Sequence, residues 1–184
     1  MPGNSNNNLL YTFMKILTIY RILTYVLLPI AVLFGMIDFF MLFSALANPA
    51  LLFIVFIIAG FVIYTFASLR FLTNGIDSNK PCKTSLRDWI KVNGYVSVFL
   101  GVSFLMNALS IFFSSETGLR QVLSNFLESQ PNVPPMLTPD LFIYMMKIAA
   151  YFLFFVSVVL LAHILLNFRL LKQYGYLFDE KAAS

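Results

Sequence analysis

The chain has 184 residues, of which 60% are hydrophobic and 11% charged, and its net charge is +4. Soluble domains carry about 25% charged residues and leave much of their surface in water, so this composition excludes a soluble globular protein of this size. Lipid is the solvent that accommodates it, and the composition reads as an all-α integral membrane protein. The basic residues lie between apolar segments and not in a run interleaved with aromatics, so no nucleic-acid partner is expected. A single cysteine (Cys82) and a single histidine (His163) exclude an intramolecular disulfide and a Cys/His zinc cluster. No cofactor or metal is expected.

The first 15 residues, "MPGNSNNNLLYTFMK", form a polar, Asn-rich tail. They lack the basic start and small-residue cleavage site of a signal peptide, so the first apolar segment is expected to stay as an anchor. Four stretches then reach the roughly 20 residues needed to cross a bilayer, at about 22–43, 49–70, 91–113 and 141–168. They predict one four-span domain over 1–184, a four-helix bundle. Pro29 is placed to kink the first span.

The connector "SALANP" is short and uncharged, which predicts a tight hairpin, with Asn48 as cap and Pro49 in the first turn of span two. In the second connector, Asn74-Gly75 reads as a helix stop. Ser85 and Asp88 have the spacing of a capping box, and Trp89 falls where an interfacial anchor belongs. Cys82, between Lys80 and Lys83, reads as an inert exposed thiol, with S-palmitoylation as the functional alternative. That basic connector is expected to meet anionic headgroups.

The third connector, about 114–140, carries Leu119, Val122, Leu123, Phe126 and Leu127 at helical spacing, with polar residues between them. This predicts a short amphipathic helix that lies on the membrane surface or caps the bundle. "PNVPP" ends it, and Thr138-Pro139-Asp140 opens span four as cap, proline and acid. The tail "FDEKAAS" reads as a solvated end.

Lysine and arginine set the orientation. Lys15, Arg21, Arg70, Lys80, Lys83, Arg87, Lys91, Arg169, Lys172 and Lys181 fall on one side, and Arg120 and Lys147 on the other. Both termini are therefore expected in the cytoplasm and the amphipathic helix outside. The endings "SLRFLTNG" of span two and "NFRLLKQYG" of span four hint at tandem hairpins, although any positive-inside helix end has this look. The layout looks like that of small bacterial four-helix membrane proteins, which implies an inner (plasma) membrane.

Ionisable groups at membrane depth are costly and so are functional candidates. Counted from the basic boundary at ~1.5 Å per residue, Asp38 lies at ~25 Å, Asn107 at ~24 Å and Lys147 at ~33 Å. Three spans thus place a polar residue in one outer layer. In one reading Asp38 pairs with Lys147 beside Asn107 and lines a site open to the outside. In the other, Lys147 snorkels and Asp38 is a structural acceptor. An inner layer at ~9 Å holds Tyr64, Ser97 and His163. A proton relay through His163 is one use, and a hydrogen bond to a neighbouring Tyr or Ser is the commoner one.

No nucleotide-binding, metalloprotease or nucleophile-elbow motif occurs, so no enzyme is expected. The first functional reading is a multi-pass subunit or regulator that associates with a membrane-protein partner or with its own copies in the bilayer. The alternative is a small oligomeric transporter or channel that uses Asp38, Asn107 and Lys147, because four spans rarely enclose a path alone.

Overall fold

A computed structural model describes the backbone of residues 3–129 and 138–178, with side chains for 14–125 and 138–178. It is all-helical: α1 (Gly3–Ala47), α2 (Leu52–Arg70), α3 (Thr84–Phe113), α4 (Glu116–Ser129) and α5 (Pro139–Gln173). Among the described residues, four helical stretches are long and apolar enough to span a bilayer: Met14–Ala47, Pro49–Asp77, Thr84–Phe113 and Pro139–Gln173. The first begins well before residue 22, because Met14–Tyr20 continues the same helix. Only 17% of the most apolar stretch of α1 is buried, and 39% of that of α2. Most of this apolar surface faces outward, which is consistent with an integral membrane protein.

The chain forms two compact units, one from residues 1–100 and 159–184 and the other from 101–158. In the first, α1 and α2 form the expected hairpin. Asn48 is extended and its side chain accepts from the Ala50 N–H at 3.2 Å, while Pro49 opens a short 3-10 turn that leads into α2. A Cβ on Gly60 would stand 2.7 Å from Val96 Cγ1, and one on Gly94 would stand 3.0 Å from the Phe168 ring. These two glycines set how closely α3 approaches α2 and α5. Phe61, Leu27, Leu160 and Ile164 fill the interior.

The helix of span two does not stop at Asn74-Gly75. After Arg70 it widens into a π-helical segment, Phe71–Asp77, which carries both residues. No glycine takes a positive φ; the reversal falls on Asn79, at φ 47°. The Lys80 N–H reaches back to the Asn74 carbonyl and closes the wide turn at 3.3 Å. Gly75 serves a close approach instead, since a Cβ there would stand 3.0 Å from Cys82 Sγ. The capping box is displaced too: α3 starts at Thr84, so Ser85 lies inside its first turn. Trp89 is exposed on that helix.

After α5 the chain turns through a 3-10 hook, Gly175–Phe178. Phe178 is buried against Phe71, with ring centroids 5.4 Å apart, so the final segment is not wholly solvated. The Leu177 carbonyl accepts from the Cys82 N–H at 2.7 Å. The rest of that tail, 179–184, lies outside the described residues, as does "PNVPP".

In the second unit, α4 is the expected amphipathic helix. Leu119 and Leu123, one turn apart, are buried with Ile143, and Ile111, Phe142 and Met146 flank them. Val122 is exposed, because it is rotated about 100° from Leu123 and points past this contact. The Phe126 and Leu127 side chains lie outside the described set. Thr138 caps α5 through Oγ1, which accepts from the Leu141 N–H at 3.4 Å. Arg120 joins α4 to the start of α5, at 3.0 Å from Glu116 and 2.6 Å from Asp140. Among the described residues, Phe112 stacks obliquely on Tyr151 at 4.9 Å.

Candidate functional site

In the first unit, each helix presents two polar residues one turn apart: Tyr20 and Thr24 on α1, Tyr64 and Ser68 on α2, Asn93 and Ser97 on α3, His163 and Asn167 on α5. All eight are buried. The i,i+4 spacing stacks each pair on one face of its helix. On α1, α2 and α5 those faces converge on the His163 ring.

The network can be assigned by counting protons. Thr24 has one hydroxyl hydrogen and donates it to the Tyr20 carbonyl at 2.8 Å. Towards His163 it therefore accepts, from Nε2–H at 2.9 Å. The lone pair on Nδ1 then accepts the Tyr64 hydroxyl at 2.8 Å. Tyr64 accepts in turn from the Asn167 amide at 3.2 Å, and the same amide donates to Ser68 Oγ at 2.6 Å. The Tyr20 ring lies flat against the imidazole, with centroids 4.8 Å apart and planes 15° apart. With Thr24 donating to its own helix, His163 is assigned the neutral Nε2–H tautomer, held on both nitrogens and on one face. One acceptor in this network, Asn167 Oδ1, is buried without a partner.

Of the three expected inner-layer residues, the structure joins Tyr64 and His163 directly. Ser97 is buried but donates to the Asn93 carbonyl of its own helix at 2.7 Å. The sequence reading missed Tyr20, Thr24, Ser68 and Asn167. Their signal was the repeated i,i+4 polar pair inside apolar helices. Among the described residues no carboxylate is bonded to the ring, and its bonds to Thr24 and Tyr64 tie three helices together in register.

The outer-layer candidates are divided between the units: Asp38 in the first, Asn107 and Lys147 in the second. Asp38 is half-buried on α1, and its Oδ1 is buried without a hydrogen-bond partner. Asn107 is exposed and its amide donates to the Ser103 carbonyl one turn back, at 2.8 Å. Lys147 is exposed on α5.

The basic end of the first unit is more elaborate. Arg21 of α1 pairs with Asp77 of the π-helical segment at 2.5 Å. A cleft of about 400 Å³ beside that segment is lined by Arg70, Cys82, Lys83 and Trp89, among others. Cys82 is half-buried there, not fully exposed. Burial pushes its thiol up from the ordinary cysteine range, and the nearby Arg70 offsets part of that shift. A more apolar groove of about 560 Å³ runs along α2 and α3 past Gly60 and Val96. Among the described residues, no three His, Cys, Asp or Glu side chains converge on a metal position. Comparison with protein-family models, curated proteins and solved structures finds no match.

Proposed function

We propose that this is a multi-pass membrane protein that acts by association, as a subunit or regulator of a larger assembly, without a catalytic step of its own. The observation that carries the reading is the closed state of the polar centre. The His163 ring is engaged on both nitrogens by Thr24 and Tyr64 and on one face by Tyr20, which leaves neither nitrogen free for chemistry. Apolar side chains such as Phe40, Phe53, Phe56 and Phe155 are exposed along the spans and suit contact with lipid or with a partner's helices. The distribution of lysine and arginine supports cytoplasmic termini and an external α4. A reporter fused at residue 125 is expected to be active only outside the cytoplasm. Purification in mild detergent followed by native mass spectrometry is expected to give a stoichiometric complex, either with another membrane protein or with a second copy. A strictly monomeric species under every mild condition would sink this reading.

The alternative, an oligomeric transporter or channel, draws its support from the unpartnered Asp38 Oδ1. A carboxylate in an apolar helix calls for a cation or a proton. Asp38→Asn, Lys147→Met and their combination separate the two. Singles that lose yield with a double that recovers it indicate a structural pair. Full stability with a lost transport phenotype favours the transporter.

A further inference from the structure

Arg87, Lys91 and Tyr95 follow one another at four-residue spacing and so share one face of α3. Across from them on α5 stand Phe168 and Lys172, again one turn apart. With Leu171 and Gly175 these residues line a cleft of about 340 Å³. The Tyr95 and Phe168 rings, with centroids 5.4 Å apart, form its apolar part. The three cations lie on the side nearer the basic end of the unit, because Arg87 and Lys91 precede Tyr95 on the helix leaving that end. Lys172 follows Phe168 on the helix returning to it.

Among the described residues no carboxylate lines this cleft, and its charge is only partly compensated. Among the described residues, Lys91 and Lys172 enter no ion pair, and the acid nearest Arg87, Asp88, stands 3.8 Å from Nε. Arg87 Nε is buried without a hydrogen-bond partner. The Arg87 guanidinium carbon sits 5.9 Å above the buried Phe178 ring, which fixes where the side chain points. Three like charges around one cleft repel one another until an anion enters. A planar fork beside two ammonium groups suits a phosphate, which accepts several charge-assisted bonds at once. Rings deeper in the bilayer and cations at its surface repeat the order of acyl chain and headgroup in a phospholipid.

We propose that this cleft binds an anionic phospholipid, with the phosphate held by Arg87, Lys91 and Lys172 and the chain laid against Tyr95 and Phe168. The inference rests on the membrane reading and is independent of the association reading. Retention of the chain in the membrane fraction after an alkaline wash checks the former separately.

The test is native mass spectrometry of the purified full chain titrated with phosphatidylglycerol or phosphatidylcholine. Arg87→Gln/Lys91→Gln/Lys172→Gln is compared with the charge-matched Lys15→Gln/Arg169→Gln/Lys181→Gln. The cleft triple is expected to weaken phosphatidylglycerol binding about tenfold or more, the control less than about twofold, and phosphatidylcholine should not compete. Inorganic phosphate at the same concentration is expected not to displace the lipid. Equal loss in both triples would mean diffuse surface charge, and displacement by inorganic phosphate a site for a soluble anion; either overturns the proposal. If the cleft triple fails to fold, Lys172→Gln alone, at an exposed position, decides: about threefold weaker binding supports the site, and unchanged binding overturns it.

Discussion

In the unit formed by residues 1–100 and 159–184, α1, α2 and α5 meet through Thr24, Tyr64 and His163, each in directional bonds to a neighbouring helix. In the unit formed by 101–158, α4 rests on α5 through Leu119, Leu123 and Ile143, and the exposed Arg120 adds an ion pair to Asp140 of α5. An apolar cluster accepts repacking of similar volume. A buried hydrogen-bond chain does not, because each break leaves a polar group unpaired in a low-dielectric interior. The first unit is therefore specified in register, and the second mainly in which faces meet.

That contrast can be broken or sharpened by substitution. His163→Ala removes the hub, leaves Tyr64 and Thr24 without their partner and opens a cavity beneath Tyr20. A loss of roughly 3–5 kcal/mol is expected, read as failed purification or a large drop in thermal unfolding temperature in detergent. Leu123→Ala should cost about 2–3 kcal/mol, with hydrogen exchange rising in 116–125 and little changed in α2. If Leu123→Ala instead proves the more damaging of the two, the comparison fails. Tyr64→Phe keeps the ring but strips Nδ1 of its donor, which is expected to cost about 1–2 kcal/mol. Arg120→Gln should leave global unfolding nearly unchanged and raise exchange only in α4, because both carboxylates it meets are exposed. The smallest effect concerns Cys82. Its raised thiol pKa means less thiolate at a given pH, so maleimide labelling near pH 7 should be slower than for a free thiol. The rate should go on climbing with pH beyond the ordinary thiol range. A rate equal to that of a free thiol at pH 7 would contradict the half-buried placement.

The spans, their caps at Asn48 and Thr138, and the amphipathic α4 were legible in the residues, because hydropathy and cap chemistry act locally. Depth counting also brought Tyr64 and His163 to one level. It fails for Tyr20 and Thr24 because hydropathy starts the apolar stretch at about residue 22, which puts them at the water boundary beside Arg21. The helix in fact carries its apolar face back to Met14. The stop at Asn74-Gly75 was misplaced for another reason. The asparagine–glycine pair signals a terminus in an α-helix, but here the helix widens and Gly75 makes room for Cys82. The hook at Gly175–Phe178 had no local signal, since Phe178 is buried by residues about a hundred positions earlier in the chain.

The placement of His163 on α5, and of the hook just after it, bears on how the chain is made. A ribosome delivers α1, α2 and α3 before α5, so Thr24 and Tyr64 emerge without the imidazole that later joins them. The turn after α2 likewise lacks the Leu177 carbonyl and the Phe178 ring that hold Cys82 and Phe71. α1, α2 and α3 alone are an unfinished product with polar groups open to any passing helix. Arrival of α5 is thus the step that closes this network and withdraws those groups from competing partners.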